Sequence, residues 1–215
     1  MNYMVPGGVM QDIHPNFQRR VKEFIALFKS KVSEYNELVT GNIIFQNRMK
    51  GVGNLSAADA ISFGCTGPTA RGSGVSCDIR KLYPYEIYDT LNFEEILETG
   101  GDSFARYMVR VREMSQSISI IEQLIDNIPE GDFQAKTKAV LKLPKGEFYQ
   151  RVETARGEFG VYIVSEGGTT PYRIKYRSPG FSNLSALDHM ARGSKLGDLV
   201  AMMGTLDLVI PDIDR

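Results

Sequence analysis

From Pro15 onward the apolar residues Phe17, Val21, Phe24, Phe28, Val32, Tyr35 and Leu38 recur every three or four positions, and Gly41 follows as a stop. That spacing predicts one long amphipathic helix with a solvated face carrying Arg19, Arg20, Lys22, Glu23, Lys29 and Lys31. A stronger pattern runs from Asp102 to Ile128. Phe104, Tyr107, Met108, Val111, Met114, Ile118, Ile121 and Ile125 form a broad apolar stripe, while Arg106, Arg110, Glu113 and Gln116 fall along another face. The period then changes from helix to strand. Gly160 to Ser165 and Tyr172 to Arg177 alternate about a turn of Gly167, Gly168 and two threonines, which predicts a β-hairpin inside the stretch Arg151 to Phe181.

In the second of those runs Tyr172, Ile174 and Tyr176 share one face and Arg173, Lys175 and Arg177 the other. The basic face is read either as a solvated edge that guards against strand pairing or as one side of an ion-pair network or acidic contact. Shorter signals fill the gaps. Pro6, Gly7 and Gly8 mark a turn, Ser56 with Asp59 resembles a capping box for a helix ending by Gly64, and Ser182–Ala191 and Gly197–Met203 read as short helices. Glycines with Pro68 and Pro84 make residues 63–88 a folded loop, and Gly131 to Pro144 reads as a polar loop with a short helix. The expected class is α+β and predominantly helical, with residues 1–145 mainly helical and 146–215 carrying the hairpin and short helices.

A chain of 215 residues can bury a core without staples. Lys and Arg number 25 against 26 Asp and Glu, which gives no electrostatic footprint for nucleic acid. Cys65 and Cys77 form neither a CxxC nor a disulfide framework, no signal segment opens the chain, and no apolar run reaches membrane-spanning length, so a cytosolic protein is expected. The search for chemistry returns little. His14 and His189 stand alone, metal-ligand spacings are absent, and neither GxxxxGK[ST], GxGxxG nor GxSxG occurs in context. Asp207, Asp212 and Asp214 could supply an acid/base pair or remain solvated. The charged row on the second long helix is read as a structural network of Asp102, Arg106, Arg110 and Glu113, joined by Arg173 and Arg177, with at least one of Arg106, Arg110 and Glu113 buried.

The ordered motifs PGGV from Pro6, TGPTARGSG from Thr66, DIRKLYPY from Asp78, GDSFARYMVRVRE from Gly101, ETARGEFGVYIVSEG from Glu153, PYRIKYRSP from Pro171 and the terminal DIDR carry a resemblance. Together they resemble the C-terminal part of the D-type core subunit of respiratory complex I, the subunit that forms the quinone site of the NADH:quinone oxidoreductase. That resemblance implies the fold of the nickel-iron hydrogenase large subunit. It does not imply the hydrogenase metal, because the thiolate pairs that hold nickel are absent from LDLVIPDIDR. It implies that Asp207, Val209 and Arg215 line a quinone cavity beside a terminal iron-sulfur cluster carried by a partner subunit, with no cofactor held by this chain and NAD belonging to the parent reaction.

The family's N-terminal half has no counterpart in these 215 residues, and Val5 precedes PGGV where an arginine is common. The chain alone is therefore expected to be inactive. Its partners would be other peripheral-arm subunits on the cytoplasmic face of the inner membrane. Uncovered apolar helix faces are expected to drive self-association, and a non-catalytic scaffold that only docks neighbours is the alternative function.

Overall fold

The computed structural model describes residues 3–138 and 140–214. It is a mixture of helices and small antiparallel sheets. A two-stranded hairpin, β1 (Met4–Val5) and β2 (Gly8–Val9), opens it around Pro6 and Gly7. Helix α1 (Phe17–Tyr35) runs on into a single π turn, Asn36–Thr40, and ends at Gly41. Helix α2 (Ile43–Met49) is capped by the Asn42 side chain, and α3 (Ala57–Ser62) by Ser56, whose hydroxyl accepts from the Asp59 backbone N–H. The capping signal was therefore legible in the sequence.

The glycine-rich segment is more structured than its composition suggests. It holds α4 (Pro68–Arg71), α5 (Ile79–Leu82) and a 3₁₀ turn, Tyr88–Thr90. Pro68 starts α4 because the first helical position needs no N–H, and Asp78 caps α5 through the Arg80 N–H. Helix α6 (Ser103–Leu124) follows, capped by Asp102.

The predicted hairpin is a three-stranded antiparallel sheet, a correction to the expectation from sequence. Strand β3 (Gly146–Thr154) pairs with β4 (Gly157–Ser165), which pairs with β5 (Arg173–Arg177). In GEFYQRVET the charged and apolar residues alternate weakly, and only Ala155 and Arg156 separate β3 from β4, so no turn signal announces the first strand. No helix forms between Gly131 and Pro144 among the described residues. The chain ends with α7 (Pro179–Ser185), α8 (Leu187–Ala191), α9 (Leu196–Leu206) and α10 (Ile210–Ile213).

One core joins the early and late parts of the chain. Leu55, Ala60, Cys65 and Ala70 pack with Ala186, Met190, Met202 and Leu206, and α6 touches α4, α9, α1 and α2. Val109, Val111, Ile118, Ile120 and Ile125 are buried along α6 and its end, each contributing about 1.5–3 kcal/mol. Two glycines set how the sheet meets this core. A Cβ on Gly67 would lie 2.4 Å from the Arg156 carbonyl, and one on Gly157 would lie 2.5 Å from the Thr66 hydroxyl. Backbone meets backbone there.

The stripe predicted on α1 is rotated. Its packed seam is Val21, Ile25, Phe28 and Val32, while Phe24 and Leu27 remain 52% and 60% exposed. Lys22–Asp126 and Lys29–Glu122 ion pairs hold α1 against α6 at 2.5 and 2.6 Å. Both helices were expected to present partly uncovered faces; on α6 Val111 and Ile118 are buried, Phe104, Tyr107, Met108 and Met114 are half-buried and Ile121 is exposed. On β5 the apolar residues Ile174 and Tyr176 are themselves exposed, so neither face of that strand is buried.

Candidate functional site

A cavity of about 590 Å³ lies between α1, α6 and the turn that ends β3. Phe24, Phe28, Met114, Ile118 and Ile121 form its apolar walls, and Arg71, Arg80, Arg110, Glu113, Glu153 and Asp207 bring charge to it. The charged part is built from several separate elements.

Arg71 ends α4 and is 1% exposed. The small neighbours Ala70, Gly72 and Ser73 allow its long side chain to be enclosed, and a Cβ on Gly72 would lie 2.8 Å from the Arg106 side chain. Its Nη1 donates to Glu153 Oε1 at 2.8 Å and its Nη2 lies 2.7 Å from Glu113 Oε1. Glu153 also accepts from the Ile79 N–H at 3.2 Å, which ties the end of β3 to the start of α5. Beside this group Arg80 grips Asp78 through two contacts of 3.0 and 2.6 Å, and its guanidinium lies 4.9 Å from the centre of the Phe93 ring.

Two carboxylates share one guanidinium here. Burial pushes both Glu113 and Glu153 above the ordinary glutamate value, and the Arg71 charge offsets only part of that. Burial acts against the Arg71 charge as well, but Glu113 and Glu153 outweigh it and hold the guanidinium above its usual value. A raised folded-state value means that the stabilisation from holding the proton is complete below the ordinary 4.5 and is lost as pH rises through the raised value. In Glu113→Gln the remaining Glu153 should titrate lower than in the parent, measured by carboxyl carbon NMR. An unchanged Glu153 midpoint would show that the two are not coupled.

Asp207 caps the C-terminus of α9 in the left-handed region, with φ at +54°. Such a conformation is uncommon for a residue other than glycine and marks a place the surrounding fold over-determines. The restraint is Arg156, whose Nε donates to the Asp207 carbonyl at 2.8 Å and lies 3.3 Å from its Oδ2. Arg156 is fixed in turn because its own carbonyl accepts from Asn183.

The other expected site residues divide. Val209 is half-buried at the start of α10 and is not among the residues that line the cavity, while Arg215 lies outside the described residues. The structural network has different members from those expected. Asp102 does not pair with Arg106; its carboxylate accepts from the Gly51 and Ala105 N–H groups at 2.7 and 2.8 Å. Arg106 is fully buried and meets oxygens without formal charge: the carbonyls of Gly101 and Gly53 and the hydroxyls of Ser103 and Thr205, at 3.0–3.2 Å. Burial lowers its pKa to about 10.

Arg177 likewise donates to Thr66 Oγ1 and to the carbonyls of Glu158 and Gly64, and Arg173 stays exposed on the edge strand. Of the six expected members, Glu113 alone is in a close ion pair, whereas Arg71, Glu153, Asp78 and Arg80 were missed. The one usable signal was TARGSG, an arginine set among residues too small to screen it.

Cys65 and Cys77 are free thiols whose pKa values burial pushes up to about 11. Among the described residues no cluster of three or more His, Cys, Asp and Glu is placed to hold a metal ion, and no helix is long and apolar enough to cross a membrane.

The family model described as respiratory-chain NADH dehydrogenase, 49 Kd subunit, matches residues 1–142 and 136–215. The C/D-type subunit of the NADH-quinone oxidoreductase of Bacteroides thetaiotaomicron is 56% identical over 215 residues, which is 100% of this chain and 41% of that protein. A D-type subunit of the NADH-quinone oxidoreductase of Solibacter usitatus is 46% identical over 209 residues, 97% of this chain and 56% of its own length. The D-type subunit of Desulforamulus reducens is 45% identical over 213 residues, 99% of this chain and 58% of its own length. The chain thus spans between two fifths and three fifths of these relatives. With the whole chain matched, in order, by one family model, it belongs to the family of the 49 kDa subunit of respiratory-chain NADH dehydrogenase.

Proposed function

We propose that this chain contributes part of the quinone-binding cavity of an NADH:quinone oxidoreductase, at the point where electrons pass from an iron-sulfur cluster in a partner subunit to quinone. The observation that carries the reading is Asp207, held in a left-handed conformation where it borders a cavity with apolar walls and a charged floor. A quinone needs both: apolar walls for its ring and tail, and polar groups near the oxygens that gain charge on reduction. Arg215 is assigned to the same cavity by family resemblance, whereas Val209 does not line it. The cluster and the remaining peripheral-arm subunits are partners, the assembly sits on the cytoplasmic face of the inner membrane, and the fold is that of the nickel-iron hydrogenase large subunit.

The test is Asp207→Asn in the assembled enzyme. Quinone reduction should fall about tenfold, equivalent to about 1.4 kcal/mol of transition-state stabilisation, while NADH oxidation by hexacyanoferrate is retained. Unchanged quinone reduction with normal assembly would favour the alternative, a scaffold that only docks neighbouring subunits.

A further inference from the structure

Four arginines and four carboxylates gather around the cavity, and all the arginines but one are matched. Arg71 spans Glu113 and Glu153, Arg80 grips Asp78, and Arg156 meets Asp207. Arg110 is left over. Its Nη1 donates to the Arg106 carbonyl at 3.2 Å, and its Nη2 is buried without a hydrogen-bond acceptor among the described residues. A buried donor with no acceptor is a cost that an incoming oxygen removes, and a charged donor gains most from a charged oxygen. Asp207 and Glu113 favour the Arg110 charge from a distance, yet burial still draws its pKa below the usual arginine value. Their own nearest cations are Arg156 and Arg71.

We infer that the cavity binds an amphiphilic organic anion, an aromatic or aliphatic body bearing a single anionic oxygen, and that Arg110 is the donor to that oxygen. Arg110 is half-buried and lines the cavity. Phe28, Met114 and Ile118 take the body. A single charge is specified because Glu113 and Asp207 would repel a second one. The natural ligand, a quinol that has lost one proton, rests on the quinone reading above; the anion preference itself does not.

The experiment uses the full 215-residue chain with 2-naphthoate and its neutral isostere 2-naphthamide, followed by ligand fluorescence. Naphthoate should bind about tenfold tighter than naphthamide to the parent chain. The preference should vanish in Arg110→Gln and persist in Arg110→Lys and in Arg173→Gln, which removes the same charge from the exposed edge strand. Equal binding of the two probes by the parent, or a preference that survives Arg110→Gln, overturns the inference. If Arg110→Gln does not fold, nitrogen NMR of the parent decides: naphthoate must shift the Arg110 Nε resonance and naphthamide must not. No quinone is present, so a negative result leaves the Asp207 assignment standing, and failure of Asp207→Asn leaves the anion preference standing.

Discussion

Arg71→Met should destabilise the chain by about 3–5 kcal/mol, the cost of leaving buried carboxylates without their cation. Glu113 and Glu153 both depend on this buried side chain. Methionine fills part of the volume, so the penalty is electrostatic more than steric. The check is urea unfolding followed by circular dichroism, where the midpoint should fall by roughly 1–2 M given the m-values of such domains. Arg71→Met combined with Glu113→Gln and Glu153→Gln should recover most of the loss, because neutral amides no longer need the cation. A single variant with an unshifted midpoint would mean that water or another cation compensates these carboxylates.

The second large effect is expected at Arg106. Its guanidinium joins the carbonyls of Gly53 and Gly101 to the hydroxyls of Ser103 and Thr205, and so connects the loop before α3, the start of α6 and the end of α9. Arg106→Ala leaves those acceptors without a donor and opens a void, but it also removes a buried charge with no close carboxylate. The gains and losses leave a net cost of about 2–4 kcal/mol. Hydrogen exchange should locate it: the Leu55 N–H, which donates to Gly101 at 2.8 Å, and the Ser103 N–H, which donates to Val52 at 2.9 Å, should lose protection first. Uniform loss across all helices would argue for general destabilisation instead.

The residues that announce themselves in the sequence do so through their neighbours. Val21, Phe28 and Val32 recur on one turn spacing, and Ser56 sits three residues before Asp59, so α1 and the α3 cap were readable locally. Even so, periodicity did not say which edge of the α1 stripe is covered, since that depends on where α6 crosses it and on Ile25, outside the expected stripe. The cavity role of Asp207 entered through family resemblance, not through any pattern. The Arg71 group stayed hidden for a physical reason: its partners lie 42 and 82 positions further on, and nothing in helix or strand periodicity links such distances. Asp102 illustrates the opposite error. The i,i+4 spacing to Arg106 was present, but the carboxylate at a helix start satisfies backbone N–H groups in preference to a side chain one turn on.

Those separations also set an order of events. The bonds that close the molecule join Arg71 to Glu153, Arg106 to Thr205, Thr66 to Arg177 and Thr66 to Asn183, across 82, 99, 111 and 117 positions. Loop-closure entropy must be met before such contacts are rewarded, so they form late and folding is slow. During synthesis Arg71 emerges well before Glu153, and Arg106 well before Thr205. A nascent chain ending near Leu124 would hold Arg71 with one of its two carboxylates and Arg106 without Thr205, and its glycine-rich α4 region would stay open until β3 and α9 arrive. The cavity is therefore assembled last, by the return of the chain's final third onto its first.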